Sequence, residues 1–509
     1  MTTTNARLMV PAERVRVRND APIRSDGDYV LYWMVAERRL SWSFALDHAV
    51  ALALELQKPL VVLEALRVDY PWASDRMHAF VLEGMRVNAA AARGTGATYL
   101  SYVEEAPGAG RGLVDGLVAR AACVVTNRAP ILFIPKMVSA LAARAPVRVI
   151  DVDSYGMLPL DAGGQHFVTA YAFRRHVQKT IGPHLSTFPS ENPLAFLPTD
   201  KRAVLPREVR ERLPAQDAHR ADDDTLSKST SLIARLPIDH RVAPSPVFTG
   251  GTLEARARLT RFLDDGLLAR YAEERSHPDL DIATGLSPYL HFGHISAHEI
   301  FRRVGERELF NPAQVKYAKG ARHGFYGLSA STESFLDQIV TWRELGAQTA
   351  EFLPGYDTYD ALPRWARATL DEHASDPRAH VYDEETLAAG RTHDPVWNAA
   401  ARQLLTTGII HNALRMLWGK KILEWTRSPR DALATLIELN NRYALDGRNP
   451  NSYAGIFWTL GRYDRPWGPV RPIFGSIRYM SSENSARKWK LKETVARFTT
   501  ANAQPRLFA

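Results

Sequence analysis

The sequence predicts an α/β domain, built on a parallel Rossmann-like sheet, joined to an all-α domain. Three observations carry this. Apolar strand-like runs alternate with helix-period runs from about residue 28 to 151. Strand signals then stop beyond about residue 248. The chain has 509 residues, too many for one ordinary core.

The elements follow in order. Residues 1–27 form a polar leader with Arg7, Glu13, Arg14, Arg16 and Arg18 but no apolar signal core. "DYVLYWMVA" reads as a buried strand, "WSFALDHAVALALELQ" as a helix and "KPLVVLEAL" as a second strand. A helix at about 76–94, the strand "ATYLSYV", a helix near 110–121, "ACVVTN", a helix near 133–144 and "VRVID" continue the alternation. Such open sheets bind ligands at the carboxyl ends of their strands. No GxGxxG occurs, so dinucleotide binding is not indicated. The α/β domain spans 28–164. A connector spans 165–247, with the polar run "QDAHRADDDTLSKSTS" partly exposed.

The helical domain spans 248–509. "TLEARARLTRFLDDGLLARYAEE", "HISAHEIFRRVGE", "ESFLDQIVTWRELGAQTAEF", "PRWARATLDEHA", "WNAAARQLLTTG", "HNALRMLWGKKILEW" and "SPRDALATLIELNNRYAL" each have helical character. Ser428, Pro429 and Asp431 make a good helix start, and Gly408 a helix stop.

Composition narrows the function classes. Lys+Arg number 64 against 56 Asp+Glu, a net charge of +8, which permits a polyanion partner without demanding one. Cys123 is the single cysteine, excluding a disulfide framework and a four-cysteine iron–sulfur cluster. No apolar run is long enough to span a bilayer. These features predict a cytoplasmic protein without a membrane anchor.

Several constellations can carry chemistry. Trp418 and Trp425, seven residues apart, share a helical face about 10 Å along its axis, and an antiparallel hairpin can bring Trp397 beside it. Three neighbouring indoles can relay electrons between a buried cofactor and solvent; they can equally be core residues stitching the hairpin. Thr284, Gly285 and Ser287 precede an apolar helix and suit either phosphate binding or simple capping. His291, His294 and His298, at positions i, i+3 and i+7, share a helical face, but no HExxH carboxylate accompanies them, and packed histidines are favoured over a metal site. The stretch "GRYDRPWGPVRPIFGSIRYMSSENSARKWKLKETVARF" interleaves basic and aromatic residues, which suits phosphate contact and base stacking as well as a solvated basic surface. Its glycine and proline density predicts an ordered loop rather than a helix.

"THDPVWNAAARQLLTTGIIHNALRMLWGKKILEW", "ELNNRYALDGRNPNSYAGIFWTLGRYDRPWG" and "GSIRYMSSENSARK", with "LSPYLHFGHIS" and "VTWREL", resemble the class II cyclobutane-pyrimidine-dimer photolyases of the photolyase/cryptochrome family. The resemblance implies an antenna-type α/β domain, with room for a second chromophore of unknown identity, and a helical domain holding FAD. Tyr271 and Ala283, Thr284, Gly285, Leu286 and Ser287 match FAD phosphate and ribityl contacts. Asn440 matches the residue facing flavin N5, and Arg415 with Asp446 the ion pair flanking the ring system. Trp418, Trp397 and Trp425 match the electron-transfer tryptophans, with Trp418 nearest the flavin, and Tyr382 an associated redox tyrosine. Trp342, Met416, Trp458 and Trp467 match residues lining a dimer pocket, and Arg465 the loop supporting the opened duplex.

The implied activity is light-driven splitting of pyrimidine dimers flipped out of damaged DNA by a monomeric enzyme. The sequence departs from the pattern at Gln338, where the family has a glutamate contacting the dimer, at "GAQTA" after "REL", and at Leu417. A cryptochrome-like blue-light receptor, which keeps flavin and relay without repair, is the alternative.

Overall fold

The computed structural model describes residues 8–211, 213 and 229–499. Arg7 and most of the "QDAHRADDDTLSKSTS" run lie outside the described residues. Six strands form one sheet: β1 (Val15–Val17), β2 (Tyr29–Met34), β3 (Leu60–Leu66), β4 (Ala97–Val103), β5 (Ala121–Asn127) and β6 (Arg148–Val152), in the order β1-β6-β5-β2-β3-β4. Every pairing among β2 to β6 is parallel. Helices α1 (Phe44–Glu55), α2 (Asp75–Ala92), α3 (Leu113–Arg120) and α4 (Ile134–Ala142) make the crossovers. They cover both faces, so β2 is buried throughout.

The stretch read as a leader contributes the edge strand β1, antiparallel to β6 with Val15 opposite Val152. Arg16 and Arg18 look polar in sequence but pair with Asp151 of β6. Arg14 is buried, donating to the carbonyls of Gly156 and Met157 at 3.1 and 2.7 Å. Likewise, within 165–247, the helix Ala170–Thr180 buries Phe173 and Val177 in the same core as Phe262, Phe301 and Phe335.

In the helical half, "TLEARARLTRFLDDGLLARYAEE" is two helices, Thr252–Asp264 and Leu267–Glu274, separated where Gly266 takes φ 70°. The histidine face is also broken. Helix Ser287–Phe292 stops at Gly293, φ 75°, and the next helix starts at Ala297. A Cβ at Gly293 would lie 2.5 Å from Glu37 Cα, so the loop leaving β2 requires glycine there. His291, His294 and His298 therefore share no continuous face. Burial holds all three pKa values below the usual imidazole range, His294 at about 3. His294 Nδ1 accepts the Gly251 N–H at 2.9 Å. They are packed, hydrogen-bonding histidines.

The basic C-terminal stretch is a loop only as far as Ser481. Helices Ser482–Trp489 and Lys492–Thr499 follow, the first capped by Ser481 Oγ, which accepts the Asn484 N–H. The glycines and prolines that argued for a loop end at Gly475.

The two halves pack directly. Arg76 of α2 donates to the carbonyls of Leu404, Leu405 and Tyr443. Arg39, after β2, donates to the Gly293 carbonyl at 3.0 Å. Between the carboxyl ends of β2–β5 and the helical half lies a cavity of about 1140 Å³, bordered by Trp33, Arg38, Tyr102, Arg128, His291 and Arg448.

Candidate functional site

Helix Asn412–Trp425 organises the site. Burial pulls His411 down to about 4, so its neutral Nδ1 accepts the Ala413 N–H and caps the helix. Trp418 lies one turn beyond Arg415, and Trp425 two turns beyond Trp418. Arg415 Nη2 donates to Asp446 Oδ1 at 2.7 Å, both side chains largely buried. Asp446 follows helix Pro429–Tyr443, which Ser428 caps by accepting the Asp431 N–H. The same helix carries Asn440, whose Nδ2 donates to Ser452 Oγ at 2.8 Å and to Asn441 Oδ1 at 3.2 Å. Arg415 Nε is buried and finds no hydrogen-bond partner among the described residues. A buried donor beside a fixed ion pair fits a polar ring edge.

The tryptophans are brought together. Asp394 caps helix Pro395–Thr407 by accepting the Val396 and Trp397 N–H groups, which places Trp397 one turn in. Trp397 Nε1 donates to the Trp418 carbonyl at 3.0 Å. Its ring meets Trp425 edge-on at 5.4 Å. Trp425 in turn meets Tyr382 at 5.6 Å. The three indoles are buried and Tyr382 is half-buried, so the row runs outward. The Tyr382 hydroxyl lies 2.7 Å from His393 Nδ1, a partner that the sequence did not suggest. The arrangement also stitches the hairpin, so packing and a relay use the same contacts.

Tyr271 and Leu286 belong to one buried apolar cluster, against which Trp342 and Trp458 pack. Leu286 belongs to a turn in which Gly285 has φ 64° and Thr284 Oγ1 accepts the Leu286 N–H at 3.2 Å. Ala283 is exposed, and Thr284 and Ser287 are half-buried. No hydrogen bond or ring contact joins this turn to the Arg415–Asp446 pair among the described residues. Met416 lies 3.7 Å from where a Cβ on Gly455 would sit, in the helix Pro450–Thr459 that carries Trp458.

Gln338 and Trp342 occupy a π-helical turn, Asp337–Trp342, inserted between helices Ala330–Leu336 and Arg343–Phe352. Such wide turns frequently mark functional sites. Asp337 anchors it, accepting from Arg174 at 2.7 and 3.0 Å. Gln338 is half-buried. On the loop after Tyr463, Trp467 Nε1 donates to Asp464 Oδ1 at 3.0 Å. The exposed Arg465 and Arg478 guanidinium groups lie 4.4 and 4.8 Å from its ring centroid.

Lys420 lies in the stretch "HNALRMLWGKKILEW", whose pattern predicts only a helix, yet it is fully buried under Trp458, 4.9 Å from the ring, donating to the Thr459 carbonyl at 2.6 Å. Its helical position gave no sign of this, because its neighbours came from a distant helix. Burial pulls the ammonium down to about 7. The unfolded chain keeps that proton to about pH 10.4. Between these values the unfolded state binds more protons, so this group makes stability rise with pH. Wild type should therefore gain stability relative to Lys420→Met from about pH 7 to 10, at up to about 1.4 kcal/mol per pH unit. Denaturant unfolding at several pH values measures it; a constant difference would mean the folded lysine stays charged.

No family model matches the chain. It is 32% identical to a deoxyribodipyrimidine photo-lyase of Methanothermobacter thermautotrophicus, covering 96% of this chain and 98% of that protein. It is 34% identical to one of Oryza sativa subsp. japonica, over 95% and 90% of the two chains. Its fold superposes on a class III photolyase of Agrobacterium tumefaciens with a TM-score of 0.64 at 17% identity, over 93% and 86% of the chains. Nearly full-length similarity at this level places the α/β sheet, the helical half and the joint between them in one lineage: the chain belongs to the photolyase/cryptochrome family.

Proposed function

We propose that the protein is a light-driven repair lyase that binds FAD and splits cyclobutane pyrimidine dimers in DNA. The observation that carries this is the single helix Asn412–Trp425, which presents Arg415 to Asp446 and, three residues on, Trp418 to an outward row of Trp397, Trp425 and Tyr382. When bound, FAD supplies light absorption and electron donation. Arg415 and Asp446 would hold a fixed charge pair beside its ring system, and Asn440 would face it from the neighbouring helix. The tryptophans would pass an electron inward, and His393 Nδ1, 2.7 Å from the Tyr382 hydroxyl, would take its proton. Trp342, Trp458 and Trp467 with Met416 wall a pocket for the extruded dimer and exclude water. Arg465 supports the opened duplex. A second chromophore would occupy the cavity at the strand ends, whose lining includes the aromatic rings of Trp33, Tyr102 and Phe292.

The test is to illuminate the reduced protein with dimer-containing DNA and measure restored thymine. Gln338 sets the expected efficiency. A hydrogen bond involving a charged group contributes about 1.5–3 kcal/mol, against about 0.5–1.5 for a neutral one. A deficit of about 1–2 kcal/mol corresponds to roughly five- to thirtyfold in rate. Wild type should repair inefficiently, and Gln338→Glu should repair better per absorbed photon. Gln338 is also the observation favouring a cryptochrome-like light sensor. If neither protein repairs, that reading replaces this one. Equal repair by both would mean that another group does the glutamate's work.

A further inference from the structure

Two segments far apart in sequence build a cationic surface outside the site described above. Residues 165–180 and 311–328 contain no Asp or Glu. The second lies on helix Ala170–Thr180 through specific bonds. Tyr171 Oη donates to the Lys319 carbonyl at 3.2 Å, and Gln178 Nε2 to the Ala321 carbonyl at 2.9 Å. The Gly320 N–H donates to Gln178 Oε1 at 2.7 Å. This brings Arg175, Lys179, Lys316, Lys319 and Arg322 together, all exposed and none ion-paired among the described residues. Tyr171 and Tyr317 stand among them, 54% and 44% exposed, with Arg175 over one ring and Lys179 over the other at 5.8 Å. Gathering like charges without carboxylates is unfavourable through self-repulsion, which a polyanion relieves.

The surface also has a position. Thr169, at the start of its helix, bridges Tyr463 in parallel, two residues before Arg465. Arg174, on the inner side of the same helix, holds Asp337 beside Gln338. The patch thus adjoins both walls of the candidate lesion pocket. We infer that it is a second nucleic-acid contact, taking the phosphodiester backbone of the duplex arm that flanks the lesion. Arg and Lys meet phosphates there, and the two tyrosine rings face the sugar–phosphate edge. The inference rests on the repair reading for its ligand.

The test compares wild type with R175A/K179A/K319A in DNA binding across a salt series. The probes are a duplex of about 30 base pairs, with and without a central dimer. Each lost phosphate contact lowers the salt slope by about 0.9. Three should therefore shrink the affinity change between about 50 and 200 mM salt by roughly fortyfold, equally for damaged and undamaged duplex. R175K/K179R/K319R should restore the slope. Unchanged unfolding midpoints would confirm that these exposed substitutions leave the fold intact. Wild-type slope and affinity in the alanine variant would overturn the proposal and point to an acidic protein as the occupant. A change in the damaged-to-undamaged ratio without a change in slope would also overturn it, because backbone contact is blind to the lesion. A reduced slope in a protein that never distinguishes damaged DNA would uphold the surface and sink the repair reading instead.

Discussion

Trp397→Phe is expected to slow photoreduction of bound oxidised flavin by more than tenfold, leaving dimer repair by already reduced enzyme nearly unchanged. Trp397 is the middle of the row: its indole N–H reaches the Trp418 carbonyl and its ring meets Trp425. Phenylalanine fills most of the space but is far harder to oxidise, so the hole stops at Trp418. Tenfold corresponds to about 1.4 kcal/mol of added barrier. The fold should survive, since large core truncations to alanine cost about 3–5 kcal/mol and this change is milder. The indole hydrogen bond is lost, which leaves the Trp418 carbonyl short of one partner and costs about 1–3 kcal/mol. Flash photolysis measures the rate, and thermal unfolding checks the fold. Photoreduction at the wild-type rate would show that Trp397 only stitches the hairpin and that electrons leave by another route.

Asp446→Ala should both destabilise the flavin-free protein and weaken flavin binding. The carboxylate pairs with Arg415 at 2.7 Å, with side chains 13% and 14% exposed. Removing one partner of a buried pair strands the other charge and costs about 3–5 kcal/mol. Residual exposure of this pair places the expected loss at the lower end. Arg415 Nε already lacks a partner, so without Asp446 the guanidinium keeps little to hold its orientation. Flavin retention through a desalting column and denaturant unfolding of the flavin-free variant are separate readouts. Loss of stability with full flavin retention would make the pair purely structural. Neither effect would remove both residues from the site.

Local rules made much of the molecule legible. Apolar runs of strand length marked β2 to β6, because a strand buried on both faces needs continuous apolar residues. Ser428 and Asp431 marked a helix start that the structure forms with the expected bond. The seven-residue spacing of Trp418 and Trp425 placed them on one face, since helical geometry is fixed by adjacent residues. The basic–aromatic interleaving near Arg465 marked a surface that does expose its cations against rings.

Where sequence reading went astray, the deciding partner was distant. β1 resembled a polar leader because its arginines are neutralised by Asp151, more than a hundred residues away. The histidine helix was interrupted because the chain leaving β2 approaches Gly293. The C-terminal helices were hidden by glycines and prolines that end before them.

The sequence by itself determined the alternation of elements, the start of one helix at Ser428, the end of another at Gly408 and the spacing of the tryptophans, because each depends on interactions within a few residues. Only the tertiary structure decided that His393 meets Tyr382 at the end of the tryptophan row, that Lys420 is buried beneath Trp458, and that residues 165–180 and 311–328 merge into one cationic face. Those outcomes depend on which segments close upon each other. Contacts of that range arise from the packing of whole elements, and no local pattern of residues encodes them.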